Sequence, residues 1–149
     1  MAEDTKNFTA EEREAMQAAA KEAKTKRSRA KKTPEEQRAE GEDDLKEAIA
    51  KLSDDSDRKL ATGLHELVSE VAPDLVPRTY YGMPAYAKDG KTICFFQPAS
   101  KFKVRYSTFG FQPEARIDDG EFFPTSFAVL ELTPAAEKRL VELVKKAVR

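Results

Sequence analysis

Hydrophobic residues are distributed unevenly along the 149-residue chain, and their spacing predicts which part of it packs. In residues 2–44 the only large apolar side chains are Phe8 and Met16. Two such side chains cannot offset the roughly 1–2 kcal/mol per residue that ordering a backbone costs. We therefore predict a charged, partly helical extension over residues 1–44 and a packed domain over residues 45–149.

Capping signals and three-to-four spacing of apolar residues predict four helices. Thr9 with Glu12, and Thr33 before Pro34, carry the residue types typical of helix starts. Only the third and fourth of these helices have a continuous apolar stripe. The predicted helices cover residues 10–32, residues 34–52, residues 56–71, and a C-terminal segment that starts at Thr133 and Pro134.

Short alternating segments between the third and fourth helices predict an antiparallel sheet, and twelve of the thirteen aromatic residues lie between Tyr80 and Phe127. Asp89-Gly90 is typical of a tight hairpin turn, because both positions favour positive φ. The strand after it is apolar on both faces and should be central. We predict α+β architecture, with an antiparallel sheet of about five strands and helices packed on one face. The predicted strands are 78–81, 85–88, 91–97, 101–106 and 127–132, with a long irregular connection over 107–126.

The net charge of −1 hides two blocks of opposite sign. Residues 21–32 contain seven bases and one acid, whereas residues 33–57 contain ten acids and three bases. We expect the basic block to be solvated and to pair with the acidic one. The alternative is weak nucleic-acid binding through the basic block, by attraction to backbone phosphates.

Cys94 and His65 are the only cysteine and histidine, which excludes an internal disulfide and a cysteine-rich zinc site. The chain shows no signal peptide, and no window approaches the ~18 apolar residues of a membrane span. We expect a soluble cytoplasmic protein with no membrane partner, as a monomer or weak homodimer.

The segment from Tyr81 to Tyr86 contains a glycine and a proline that can hold a bend in the backbone. Apolar and hydroxyl-bearing side chains around such a bend can line a ligand pocket. The alternative is a strand kink that serves only packing, with Cys94 a small buried hydrophobe. The predicted pocket residues are Tyr81, Met83, Tyr86, Cys94 and Phe96.

Charged residues provide further candidate sites. Lys101, Lys103 and Arg105 alternate with apolar residues, which predicts a basic row on one sheet face that could receive an anion or an acidic partner. Arg78 and Lys91 could extend this row. The acidic turn that contains Asp118, Asp119 and Glu121, or alternatively the cluster of Asp54, Asp55 and Asp57, offers oxygen ligands for a metal ion. For each group the alternative is a solvated surface.

No catalytic motif is present: the sequence has no glycine-rich phosphate loop, no serine elbow and no histidine–carboxylate motif. We expect His65 to be a hydrogen-bonded histidine at a helix edge. The residues thus predict a non-enzymatic binding or adaptor domain without a cofactor, whose small-molecule or protein partner meets the segment from Tyr81 to Tyr86 and the adjacent sheet face.

The segment from Tyr81 to Tyr86, the Lys88–Lys91 hairpin, Phe95-Phe96, Phe123 to Ser126 and the closing helix together resemble the YdhG-like bacterial domain of unknown function. The resemblance extends over roughly residues 45–148. It implies a frataxin-like antiparallel sheet with helices on one side. One branch of that family is described as an iron chaperone, so the resemblance implies iron delivery as an alternative function. No iron ligand of the family maps onto a matching position of this chain.

Overall fold

The computed structural model describes residues 7–149, which form five helices and five strands. In chain order these elements are α1 (Ala10–Arg29), α2 (Pro34–Ala50), α3 (Asp55–Val71), β1 (Val76–Tyr80), β2 (Met83–Lys88), β3 (Lys91–Gln97), α4 (Ala99–Phe102), β4 (Ser107–Phe111), β5 (Ser126–Val129) and α5 (Pro134–Ala147). The predicted α+β class is confirmed.

The strands form one antiparallel sheet in the order β1-β2-β3-β4-β5, so β3 is central as predicted. Two-residue turns connect its first three strands. Asp89-Gly90, with φ of 52° and 79°, is the predicted tight turn between β2 and β3. Tyr81 and Gly82, with φ of 52° and 77°, form a second turn of the same kind between β1 and β2. We call this second turn, Tyr81-Gly82, the hairpin turn.

The hydrophobic core lies between one face of the sheet and the apolar stripes of α3 and α5. On the sheet, Tyr86 lies opposite Cys94, and Phe96 lies opposite Phe109. These four side chains belong to one cluster with residues from three helices. The helical members include Leu45 and Ile49 of α2, Leu60, Leu64 and Val68 of α3, and Leu140, Val144 and Ala147 of α5.

The charged extension is attached to the sheet, which the sequence left open. Helix α2 continues through the predicted boundary between residues 44 and 45, and its second half enters the core. Gly41 lies against the backbone of Pro77 in β1. Helix α1 contacts β1 and α4, although Ala15 is its only buried residue. The first helices therefore cover the β1 edge of the sheet.

The two charge blocks pair where α1 and α2 meet. The Arg29 guanidinium donates to Glu40 at 2.8 Å and to Asp44 at 2.7 Å. Lys32 forms a further salt bridge with Glu40. The expected pairing of the basic block with the acidic block is confirmed at these positions.

Residues 101–106 do not form the predicted strand. Ala99–Phe102 instead form the short helix α4, with Pro98 at its N-cap, and Lys103 follows with a left-handed φ of 53°. Asp57 of α3 is the physical reason, because its buried carboxylate accepts from the Ser100 amide at 2.9 Å. Ser107 Oγ lies 3.5 Å from the same carboxylate group. This tether between Asp57 and Ser100, which are 43 residues apart in the sequence, keeps residues 101–106 out of the sheet.

The predicted irregular connection over residues 107–126 is also wrong in its first part, which forms strand β4. Gly110 made this segment look like a loop. In the sheet it lies opposite Phe95, whose ring covers the glycine. A Cβ atom on Gly110 would be 2.5 Å from that ring, so the glycine makes room for an aromatic side chain within a regular strand.

Among the helices of residues 7–149, none combines the length and the hydrophobicity that crossing a membrane requires.

Candidate functional site

A cleft of about 1080 Å³ lies at the β1 edge of the sheet. Its walls are α1, α2 and β1, and we call it the edge cleft. Its volume is close to the upper end of the range typical of small-molecule sites. Its lining includes Glu14, Glu22 and Lys26 of α1, Gly41 of α2, Arg78 of β1, the hairpin turn, Gly90 and Lys101.

Arg78 projects from β1 into the edge cleft and is half-buried. Its guanidinium donates to the Gly90 carbonyl at 3.0 Å and to the Thr92 hydroxyl. Burial lowers the pKa of Arg78 from its ordinary value, and the negative charge of Glu22 partly offsets this effect. No carboxylate in residues 7–149 forms a salt bridge with it. Its charge is thus only solvated and hydrogen-bonded to neutral oxygens.

Lys101 is a second partly buried cation of the edge cleft. Its ammonium group donates to the Gly82 carbonyl at 3.0 Å. Burial lowers the pKa of Lys101, whereas the nearby charges of Glu14 and Glu22 raise it. Like Arg78, Lys101 forms no salt bridge within the described part of the chain.

Glu22 of α1 binds the hairpin turn with both carboxylate oxygens. Oε2 accepts from the Tyr81 amide at 2.9 Å, and Oε1 accepts from the Gly82 amide at 2.8 Å. Successive amides of a turn can form a concave donor site for an anion. Lys26, one helical turn further along α1, donates to the Gly90 carbonyl at 2.9 Å. These bonds hold α1 over the ends of two hairpins.

The charge balance of the edge cleft favours anions. Six basic side chains and four carboxylates line it. Two pairs among them, Arg29 with Asp44 and Lys51 with Glu47, are neutralised by direct contact. Because half-buried charges are screened less than exposed ones, Arg78 and Lys101 contribute most to the potential inside the cleft.

The predicted pocket does not form around its five residues. Tyr86, Cys94 and Phe96 are 2%, 0% and 1% exposed and fill the hydrophobic core, and Met83 is buried as well. The reason is that the bend is confined to the hairpin turn, so Met83 and Pro84 already belong to β2. Only Tyr81 lines the edge cleft. Burial raises the pKa of the Cys94 thiol to about 12, consistent with the alternative of a small buried hydrophobe.

His65 is the hydrogen-bonded histidine that the sequence led us to expect. Its Nδ1 lies 3.0 Å from the Tyr86 hydroxyl, and its Nε2 lies 3.3 Å from Oε1 of Glu42. Burial raises the pKa of Tyr86, while the bond to His65 lowers the pKa of Glu42. This chain of three side chains connects β2, α3 and α2. None of the three lines the edge cleft.

The predicted basic row does not share a sheet face, because its residues lie in and after α4. Lys103 pairs with Glu11 at 2.7 Å, which raises the pKa of Lys103, and Arg105 lies over the Tyr106 ring at 5.1 Å. Lys101 alone of the three lines the edge cleft, where it joins Arg78. Anion binding by the other two stays a prediction.

The acidic turn does not gather into a metal site. Asp118, Asp119 and Glu121 are exposed in the connection between β4 and β5. Across residues 7–149, no group of three or more histidine, cysteine or acidic side chains is arranged to hold a metal ion. Gly120, which lies between Asp119 and Glu121, has a left-handed φ of 71°.

Sequence reasoning missed the residue that organises the cleft, Glu22. Its partners Tyr81 and Gly82 lie 59 and 60 residues further along the chain, and Glu22 is the lone acid in a basic block. No local pattern signals such a pairing. Asp57 was missed as a tether for the same reason, since its partner Ser100 lies 43 residues away.

Comparison with known proteins gives no relative: no family model, no curated protein and no solved structure matches this chain. The resemblance to the YdhG-like domain therefore stays a prediction.

Proposed function

We propose that this protein is a binding domain that takes a small anionic ligand, a carboxylate or a phosphate, into the edge cleft. One observation carries the proposal: Arg78 and Lys101 are partly buried cations that line the cleft, and neither forms a salt bridge in the described structure. Burying a charge without a directly paired counter-charge is costly, and an anion bound in the cleft would add to the partial compensation by Glu14 and Glu22.

The chemistry of the two cations also favours anions. A guanidinium is planar and can offer paired N–H donors to a carboxylate or phosphate, whereas an ammonium acts as a compact point charge. Both groups already donate to backbone carbonyls, which fixes their positions at the cleft wall. A pre-positioned donor loses less side-chain entropy when a ligand binds.

The composition of the walls supports binding in preference to catalysis. The single cysteine and the single histidine of the chain, Cys94 and His65, are buried and lie outside the cleft. The non-enzymatic function that the sequence predicted therefore remains our proposal. The site differs from the predicted one, because it combines the hairpin turn with Lys101 and Arg78 and adds α1 and α2.

Thermal unfolding of the full chain in inorganic phosphate tests this function. A dissociation constant of about 1 mM would give about 1.4 kcal/mol of stabilisation at about 10 mM phosphate. For a chain of this size, that corresponds to about 4–5 °C in Tm relative to chloride at equal ionic strength.

The matched variants are Arg78→Gln and Arg105→Gln, because Arg105 is an exposed arginine outside the cleft. We expect Arg78→Gln to lose the phosphate-dependent rise in Tm and Arg105→Gln to keep it. An equal rise in both variants would rule out the edge cleft as the site, and no rise in the unmodified protein would rule out phosphate binding.

A further inference from the structure

The hairpin turn presents two backbone amides on one side, and α1 fills the position in front of them. We propose that this turn is a carboxylate-binding site, that Glu22 occupies it in the structure seen here, and that a carboxylate group of the ligand can take the place of Glu22. This inference deepens the proposed function and rests on it, since it names one chemical group of the ligand and its position in the edge cleft.

The geometry of the occupant identifies the ligand class. Glu22 places one oxygen on each amide, at 2.9 Å and 2.8 Å, so the two donors are spaced for the two oxygens of one carboxylate. Lys101 donates to the carbonyl of the same turn at 3.0 Å and adds positive charge beside the site. Hydrogen bonds from amides to an ionised acceptor are about twice as strong as those between neutral groups.

The backbone of the turn is suited to this role. Tyr81 has a φ of 52°, which is uncommon for a bulky side chain, and Gly82 follows with a φ of 77°. Unusual backbone conformations persist where the surrounding structure holds them, and they are frequent at ligand sites. A Cβ atom on Gly82 would lie 2.8 Å from Nζ of Lys101, so the glycine also gives the lysine access to the turn.

Helix α1 can give up the position because little apolar packing holds it. Ala15 is its only buried residue, and it does not belong to the hydrophobic core cluster. Its attachments are polar: Glu22 to the turn, Lys26 to Gly90, Glu11 to Lys103, and Arg29 to the acids of α2. A ligand carboxylate can offer the same bonds as Glu22, and Arg78 and Lys101 can hold the rest of the ligand.

The test uses full-length Glu22→Gln protein, in which the carboxamide keeps the size of the side chain but cannot accept hydrogen bonds with both ends. Sodium acetate is the probe, with sodium chloride at equal ionic strength as the reference. The measurement is the change in the amide ¹H–¹⁵N resonances of Tyr81 and Gly82. We expect saturable shifts in Glu22→Gln, and at least about tenfold weaker binding in the unmodified chain.

Glu14→Gln is the matched control, because Glu14 also lies on α1 and lines the cleft but has no bond to the turn. It should respond like the unmodified protein. Glu22→Ala gives a second variant in case glutamine rearranges the turn. If acetate leaves the two amide resonances unshifted in both Glu22 variants, or shifts them equally in the unmodified chain, the inference is wrong.

This result is separable from the test of the proposed function. A phosphate effect that depends on Arg78, without an acetate response at the turn, would overturn the inference alone. An acetate response at the turn with no phosphate effect would overturn the proposed role of Arg78 and leave the carboxylate site in place.

Discussion

At the scale of single residues, the surroundings of each ionisable group decide what it can do. Arg78 and Cys94 lie on neighbouring parts of the sheet, yet the first faces a cleft and the second faces the core. The sequence identified Tyr81 and Lys101 as candidate site residues, but it could not supply Glu22. Local patterns report which face a side chain is on, whereas a contact over 59 residues depends on how the whole chain packs.

Cys94 gives a prediction for stability at alkaline pH. Burial raises the pKa of its thiol from 9.0 to about 12, so the folded state keeps a proton that the unfolded state loses. The contribution is fully present below pH 9.0 and is lost as pH rises toward about 12. The decline from this one group can reach about 1.4 kcal/mol per pH unit.

We expect Cys94→Ala to be less stable at pH 8 but to show a shallower alkaline decline in the free energy of unfolding. Urea denaturation of both proteins at a series of pH values measures the two slopes. Lysine and tyrosine groups titrate in both proteins, so the difference between the slopes isolates the thiol. Parallel slopes would show that the Cys94 thiol ionises as readily in the folded state as in the unfolded state.

At the scale of elements, the sequence predicted those whose signals are local. Capping residues predicted the starts of α1, α2 and α5, and the Asp89-Gly90 turn predicted the β2–β3 hairpin. Prediction from the sequence failed where distant contacts override the local pattern. The regular alternation of residues 101–106 indicated a strand, but the tether to Asp57 produces a short helix and a loop there. Strand β4 was missed because Gly110 makes room for the Phe95 ring of the neighbouring strand, and the local sequence does not show this contact.

The packing of α2 against β1 predicts opposite effects for two helical glycines. A Cβ atom at Gly41 would lie 2.0 Å from the Pro77 carbonyl oxygen, and this backbone atom cannot move without shifting the strand. A Cβ atom at Gly63 would lie 2.9 Å from Cδ1 of Leu132, a side chain that can rotate away. We expect Gly41→Ala to destabilise the protein by about 1–3 kcal/mol.

Gly63→Ala is the control, because replacing a helical glycine by alanine stabilises the helix by about 1 kcal/mol at either position. It should leave stability unchanged or raise it slightly. Urea denaturation midpoints at equal m-values give the comparison. If Gly41→Ala is as stable as Gly63→Ala, α2 does not lie against β1 as the structure shows.

At the scale of the whole molecule, the charged first third of the chain forms two of the walls of the edge cleft. The core cluster joins the sheet to α2, α3 and α5, while α1 adds polar contacts over the β1 edge. The near-neutral net charge is consistent with this arrangement, because the basic and acidic blocks neutralise each other at the junction of α1 and α2. Of the bases that line the cleft without a salt bridge in the described part of the chain, Arg78 and Lys101 are the two that are partly buried.

The most direct test of this account is a map of where inorganic phosphate contacts the full-length protein, read from ¹H–¹⁵N chemical-shift changes. The account predicts that the largest changes concentrate at Arg78, including its side-chain Nε–H, at Gly90, whose carbonyl accepts from Arg78, and at Lys101. Changes centred on exposed bases outside the cleft, such as Lys91 and Arg105, or spread evenly over the surface, would contradict it.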